Sequence, residues 1–353
     1  MKNIWLWLAV AIVLVGGYFI FFSKSQDVTA EKTVIGVIGP FSGPAASMGE
    51  AIRNSINLVD ANAVTFDFQD DECEAKKAIA AYQLLQGKGV KVFYVACSGS
   101  VIALAPMAKE NGDVILTAYA GSTEIRKSGK ETIRFNPDGL SVIGVMTDYL
   151  AASPFEKYGI LYEKQDYAQS VVDGLKAVLG NKVITEEGYL SSSTSFKTQI
   201  AKLKASGADA VIFVPVSDVT AKIIYKEMQD LKIGKPIVGE VNACDYAFKP
   251  SDYGLKGVCW KAGVETQGYK DFAAAFKVKY STEPAYPLYD SFTYDSMLIT
   301  NRLLVGKGKL DNAAVQALED EIIKGQKGSV VDFTFDKDGE VVASDYLKLV
   351  EFK

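Results

Sequence analysis

The chain has 353 residues, 48% of them apolar and 23% charged, with a formal net charge of −5 and no histidine. That length suits two hydrophobic cores, since single cores stop growing near about 250–300 residues. The acidic balance and the lack of any basic run longer than two residues argue against nucleic acid as a partner, and a histidine-free chain lacks the usual base of hydrolytic sites and the usual mixed-site metal ligand.

Residues Ile4 to Phe22 form an uncharged apolar run. Nineteen helical residues reach roughly 28 Å, close to the hydrocarbon thickness of a bilayer. The run is long for a signal-peptide core. Two readings stay open, an uncleaved membrane anchor or a cleaved signal, and the anchor is favoured. Residues 23–32 read as a polar tether. Four cysteines, at 73, 97, 244 and 259, are compatible with two bridges in an oxidising compartment. Their spacing is not that of a zinc site.

From Thr33 the pattern alternates short apolar runs with helical periodicity. Strands are expected at 33–38, 64–68, 90–96, 114–118 and 132–135. Helices are expected at 49–61, 74–86 and 101–110; the first places Ile52, Ile56 and Val59 on one face. After a junction near Asn136–Gly139 the pattern restarts. Strands are expected at 158–162, 182–186, 210–214 and 237–239, with helices at 140–151, 168–179, 197–205 and 219–231. Three more helices follow at 268–279, 288–304 and 312–323. The tail reads as a β-hairpin, 330–335 and 342–352, around Asp336-Lys337-Asp338-Gly339. The fold class is therefore α/β: two doubly wound parallel-sheet lobes with a hinge and an interlobe cleft, preceded by one membrane helix. The expected division is 1–32 as anchor and tether, 33–138 with 263–325 as the first lobe, and 139–262 with 326–353 as the second.

In an open α/β sheet, ligands bind beyond the carboxyl ends of the strands. Ser98 follows the third strand and Ser122 the fourth, so both hydroxyls are expected in one crevice beside helix-start amides, an arrangement that suits a carboxylate. Each serine taken alone is as well explained as a helix cap. Glu240 follows a strand of the second half and could pair with an ammonium; Asp245 is the runner-up. Tyr167 begins a helix after the first strand of that half. Cys73 and Cys97 flank a helix and its following strand, which reads as a disulfide beside the Ser98 loop. Cys244 and Cys259 are paired by proximity and by leaving no thiol over. No Gly-x-Ser-x-Gly elbow and no supported Ser-x-x-Lys motif is present.

Several stretches, taken together and in order, resemble a known family. They are Ile38-Gly39-Pro40-Phe41-Ser42-Gly43 with Gly49, Asp70-Asp71-Glu72-Cys73, Val95-Ala96-Cys97-Ser98-Gly99-Ser100, Ala120-Gly121-Ser122, Glu163-Lys164-Gln165-Asp166-Tyr167, and Phe335-Asp336-Lys337-Asp338-Gly339-Glu340. Residues 33 to 353 resemble the type I periplasmic binding proteins, in the leucine/isoleucine/valine-binding branch of the ABC transporter substrate-binding proteins. The resemblance implies a monomeric, non-enzymatic, extracytoplasmic receptor for a small zwitterionic amino acid, branched-chain or otherwise neutral, that serves a membrane permease without cofactor or metal. It implies that Ser98 and Ser122 hold the ligand carboxylate, that the Ala120 carbonyl and Glu240 meet the ammonium, and that Tyr167 closes over the ligand. It also implies that Tyr289 lines the side-chain pocket, and that Cys73–Cys97 is the disulfide of this branch. Met48 stands where relatives often carry an aromatic residue. The rival readings are a sensory receptor of the same fold for amides, urea or other small solutes, and a histidine-free α/β hydrolase.

Overall fold

The computed structural model describes residues 31–245, 248–262, 265–336, 340–341 and 347–352. The expected membrane helix, residues 4–22, lies outside them, as does the centre of the expected hairpin turn, 337–339. Among the described residues no helix is long and apolar enough to cross a membrane.

The first lobe is built on a five-stranded sheet ordered β2-β1-β3-β4-β5, with β1 at Thr33–Gly39, β2 at Val64–Asp70, β3 at Val92–Val95, β4 at Val114–Thr117 and β5 at Thr132–Arg134. All its pairings are parallel. The inner strands β1, β3 and β4 are apolar almost throughout because helices cover both faces of the sheet. Those helices are α1 (Ala46–Leu58), α2 (Ala75–Gly87) and α3 (Ser98–Asn111). Helix α3 starts three residues before its periodic apolar run, so Ser98 and Gly99 belong to its first turn. It ends at Gly112, whose φ of 65° is the left-handed C-cap geometry glycine favours.

The second lobe contains α4 (Gly139–Ala152), β6 (Tyr158–Glu163), α5 (Asp166–Leu179), β7 (Val183–Tyr189), α6 (Lys197–Ala205), β8 (Ala210–Val214), α7 (Asp218–Asp230), β9 (Ile237–Gly239), the one-turn α8 (Asn242–Asp245) and β10 (Gly257–Ala262). Its sheet is ordered β13-β10-β9-β8-β6-β7, where β13 is Leu347–Phe352. Strand β10 was not expected: Gly257-Val258-Cys259-Trp260-Lys261-Ala262 is neither a continuous apolar run nor bounded by two turn signals. The pairing of β10 with β9 makes it a strand.

The expected C-terminal hairpin is corrected. Among the described residues one bridge, Phe335 with Val341, spans its turn. Strand β13 instead runs antiparallel to β10, from Gly257 opposite Phe352 to Ala262 opposite Leu347. It covers an edge that would otherwise expose unpaired amides. Upstream, β11 (Gln326–Lys327) pairs with β12 (Asp332–Phe333).

Helices α9 (Gln267–Tyr280), α10 (Pro287–Leu303) and α11 (Asn312–Ile323) return to the first lobe, where α9 and α10 pack on α1. Asp295 of α10 accepts hydrogen bonds from the amides of Ser329, Val330 and Val331 at 2.7, 2.8 and 3.2 Å. These contacts seat residues 326–331, expected with the second lobe, on the first.

Both cysteine pairs are bonded, Cys73 to Cys97 and Cys244 to Cys259, with Cα separations of 5.4 and 5.9 Å. The first ties the end of β3 to the loop after β2; the second ties α8 to β10. At the lobe crossings, fully buried Arg134 donates to Glu340 at 2.5 Å and to the Ser122 carbonyl at 2.8 Å. Arg126 donates to Asp138 at 2.6 Å and to Asp336 at 3.4 Å. Two separate chain crossings are thus joined by one cluster of opposite charges.

Candidate functional site

A cavity lies between the lobes at the carboxyl ends of both sheets, where open α/β folds place ligands. The first lobe lines it with Met48, Ala96, the Cys73–Cys97 disulfide, Ser98, Gly99, Tyr119, Gly121, Tyr286 and Tyr289. The second contributes Gln165, Asp166, Tyr167, Val216 and Asn242. No lysine or arginine is among these described lining residues.

The Ser98 wall is held in place by neighbours. Buried Asp71 accepts from the Ser100 hydroxyl at 2.5 Å and from the Cys73 amide at 2.9 Å, and so ties the first turn of α3 to the disulfide loop. Burial pushes the Asp71 carboxyl above its usual range, against the Ser100 hydrogen bond. Asp71, Cys73 and Cys97 lie close enough to suggest a metal set. Both sulfurs are consumed by the disulfide, so that set lacks thiolate donors. The Ser122 amide donates to Ser98 Oγ at 3.1 Å, which leaves the Ser98 hydroxyl proton to point elsewhere. The Ser122 hydroxyl caps the following 3₁₀ turn by accepting from the Glu124 amide at 3.3 Å. Ser122 therefore acts through Ser98 and as a cap, and does not line the cavity.

Ala120 is also not on the cavity wall. Its carbonyl accepts from Arg134 at 3.3 Å and from Asn136 at 3.5 Å, so the ammonium partner expected there is turned toward the lobe crossing. Buried Arg134 needs nearby carbonyls to satisfy its guanidinium, and a sequence read element by element does not reveal that demand.

On the second lobe, Glu240 is fully buried. It accepts from the Tyr167 hydroxyl at 3.0 Å and from the Asn242 amide at 2.8 Å. Burial, then the Glu240 charge, pushes the Tyr167 phenol well above its ordinary value and keeps it a donor. Tyr167 spans the cleft: a Cβ added at Gly121 would lie 2.7 Å from its ring, so glycine is what admits the ring there. Asp166 approaches α3 as closely, since a Cβ at Gly99 would lie 2.2 Å from its carboxylate. Asp245 closes α8, and its side chain is not among the described ones.

Tyr289 and Met48 line the cavity as expected. Tyr119 and Tyr286 were missed. Tyr119 lies 5.2 Å from Tyr289 and 6.0 Å from Tyr286, centroid to centroid. Its hydroxyl donates to fully buried Asp290, which also accepts from the Tyr286 amide at 3.0 Å. Burial raises the Asp290 carboxyl to about 7, against the lowering effect of the Tyr119 bond. Tyr119 sits between the fourth strand and Ser122, a position whose signal is the strand end itself. Tyr286 precedes a proline-started helix and carried no motif.

The lobes meet directly around the cavity. Ser47 donates to Asp218 at 2.7 Å and lies 3.2 Å from the Tyr286 hydroxyl. Ser217 donates to the Pro44 carbonyl at 3.0 Å, and the Thr123 amide to Ser170 at 3.3 Å.

The family model described as periplasmic binding protein matches residues 32–342. Among curated proteins, the chain is 28% identical over 196 residues to Leu/Ile/Val-binding protein homolog 3 of Brucella melitensis, covering 51% of this chain and 53% of that one. It is 24% identical over 341 residues to an amino acid binding protein of Pseudomonas aeruginosa, covering 89% and 88%. The Leu/Ile/Val-binding protein of Escherichia coli K12 matches at 26%, over 54% of this chain and 56% of its own length. The match thus spans about half the length of most of these curated relatives. Among solved structures, a solute-binding protein of an ABC transporter from R. palustris in complex with benzoate has a TM-score of 0.79 at 19% identity, covering 91% and 93%. A branched-chain amino acid transporter substrate-binding protein of Streptococcus pneumoniae with isoleucine has a TM-score of 0.73 at 18% identity, covering 91% and 100%. At these identities both establish the fold alone.

Proposed function

The chain belongs to the periplasmic binding protein family, in the branch of its Leu/Ile/Val-binding relatives, and we propose that it is the extracytoplasmic substrate-binding protein of an ABC-type amino-acid uptake system. Its ligand in this reading is a small zwitterion, a branched-chain or other neutral amino acid. The names of the curated relatives support the class. The observation that carries the reading is the pairing of two unlike ends across one closed cleft. On one side the first turn of α3 offers Ser98 and free helix-start amides, which favour a carboxylate. On the other, the Tyr167 hydroxyl holds buried Glu240, a carboxylate that favours an ammonium.

In the proposed cycle, Ser98 donates its hydroxyl proton to the ligand carboxylate while the Ser122 amide orients it. Glu240 takes the ammonium, and Tyr289 and Met48 meet the side chain. Higher affinity for the closed lobes shifts the population to the form a permease reads. A ligand lacking either head group strands a buried partner, which gives specificity. The proposed lobes are 33–138 with 263–325, extended to about 335 by the Asp295 contacts, and 139–262 with the remaining tail. Residues 4–22 are proposed to anchor the protein, which is then expected to resist carbonate extraction from membranes.

A second reading, an aromatic carboxylate as ligand, draws support from the tyrosines of the wall and from the benzoate named for a structural neighbour. One experiment separates the two: thermal unfolding of the purified protein with each amino acid and with benzoate. A ligand at a hundredfold its Kd adds about 2.7 kcal/mol. The amino-acid reading expects at least one neutral amino acid to stabilise the wild type and to lose that effect in Glu240→Ala. It is lost if only benzoate does so.

A further inference from the structure

Four tyrosines line the cavity, Tyr119, Tyr167, Tyr286 and Tyr289. Three of their hydroxyls are tied away from it. Tyr119 donates to Asp290, Tyr167 donates to Glu240, and the Tyr286 hydroxyl lies 3.2 Å from Ser47, which itself donates to Asp218. Three of the four phenols are thus pinned through their oxygens, directly or by one hydroxyl, to carboxylates. At Tyr119, Tyr167 and Tyr286 the ring, more than the hydroxyl, is what remains for a ligand to meet.

The ring geometry is also specific. Tyr119 and Tyr289 are tilted by 32° at 5.2 Å, while Tyr286 stands nearly edge-on to Tyr119 at 77° and 6.0 Å. Both separations fall in the range aromatic pairs prefer, so faces and edges are set for a further ring to join. Asp290 keeps them so: it holds the Tyr119 hydroxyl and the Tyr286 amide at the start of α10, the helix that also carries Tyr289. The same side of the cavity also carries Met48 and the Cys73–Cys97 disulfide, which are polarisable and offer no strong hydrogen bond, with Ala96 and Gly121, while Ser98 and Gly99 stand at the head-group end.

Resting on the amino-acid reading of the cleft, we infer that its side-chain pocket selects an aromatic ring, so that the ligand class is a neutral aromatic amino acid. A polar side chain set against Tyr119, Tyr286 and Met48 would bury donors or acceptors that those surfaces do not answer. An aliphatic one fills the space but forgoes the face and edge contacts.

The test is calorimetric titration of the purified full chain with L-phenylalanine, L-cyclohexylalanine, L-leucine and benzoate. Cyclohexylalanine matches phenylalanine in bulk without the π system. Phenylalanine is expected to bind about three- to tenfold tighter than cyclohexylalanine, the size of an aromatic contact beyond area burial. Tyr119→Leu and Tyr289→Leu are each expected to reduce that ratio toward one. If cyclohexylalanine or leucine binds as tightly as phenylalanine, the aromatic selection is overturned and the amino-acid reading stands. If benzoate binds and no amino acid does, the amino-acid reading falls while the ring selection survives. If none of the four binds, the aromatic selection falls, and the amino-acid reading falls with it when the thermal screen of all amino acids also shows no shift. The wild-type ratio decides even where a leucine variant fails to fold.

Discussion

Two buried charged clusters serve different ends. At the lobe crossings, Arg126 and Arg134 face Asp138, Asp336 and Glu340. Burial alone would raise the Asp138 carboxyl, but the Arg126 hydrogen bond and the arginine charges hold it below its usual range. In the cleft, Asp290 accepts from the Tyr119 hydroxyl and the Tyr286 amide, and burial lifts it to about 7. Opposite charges compensate where the chain must hold its two lobes in register. Phenols stand in for cations where the cavity is lined, so the ligand's own positive group meets no competing side chain among the described residues there.

The comparison can be broken from either side. The largest effect is expected at the crossing. Arg134→Ala leaves the Glu340 carboxylate buried without its partner, and loss of one member of a buried pair typically costs about 3–5 kcal/mol. Denaturant unfolding measures it, and an unchanged midpoint would show that the cluster is not structural. In the cleft, Glu240→Ala is expected to leave folding intact while weakening amino-acid binding by ~2–5 kcal/mol, read by titration. Unchanged affinity would remove the ammonium assignment.

The two clusters also differ in the sign of their pH response. Asp290 has a folded-state pKa raised from 3.8 to about 7, so the folded protein holds more protons than the unfolded chain between those values. Stability is therefore expected to fall as pH rises across that window, by on the order of 2–4 kcal/mol in total. Asp290→Asn should flatten that part of the profile. Asp138, lowered in the folded state, acts oppositely: its contribution is present above 3.8 and is lost as pH falls through its folded value. Thermal melts of wild type and Asp290→Asn between pH 4 and 8 would show the Asp290 arm, and identical slopes would contradict the burial of Asp290; the Asp138 arm is expected only in melts taken below its ordinary value of 3.8. The smallest effect is expected at Ser98→Ala. It strands the Ser122 amide and removes a hydrogen bond to the ligand carboxylate, worth about 1.5–3 kcal/mol in binding.

Much of the architecture was legible because strands 4–8 residues long and helices of 3.6-residue period leave local traces. β1, β4, β8 and the helices Lys197–Ala205 and Asn312–Ile323 fall where the pattern put them. Ser98, Tyr167, Tyr289 and Met48 line the cavity, and the Tyr167 hydroxyl donates to Glu240. Strand β10 and the partner of β13 were not legible, since a strand is completed by a neighbour distant in sequence and the Asp-Gly turn signal pointed to the wrong one.

The chain by itself determined that this is a two-lobe α/β protein without histidine chemistry, because periodicity and composition are properties of local sequence. Only the tertiary structure decided which polar groups face the cleft. Ala120 lost its expected place because its carbonyl satisfies Arg134, and Ser122 because its hydroxyl caps a turn. Tyr119 and Tyr286 line the cavity with their hydroxyls bound to Asp290 and beside Ser47. Burial obliges every donor and acceptor to find a partner, and those partners come from elements far apart in the chain.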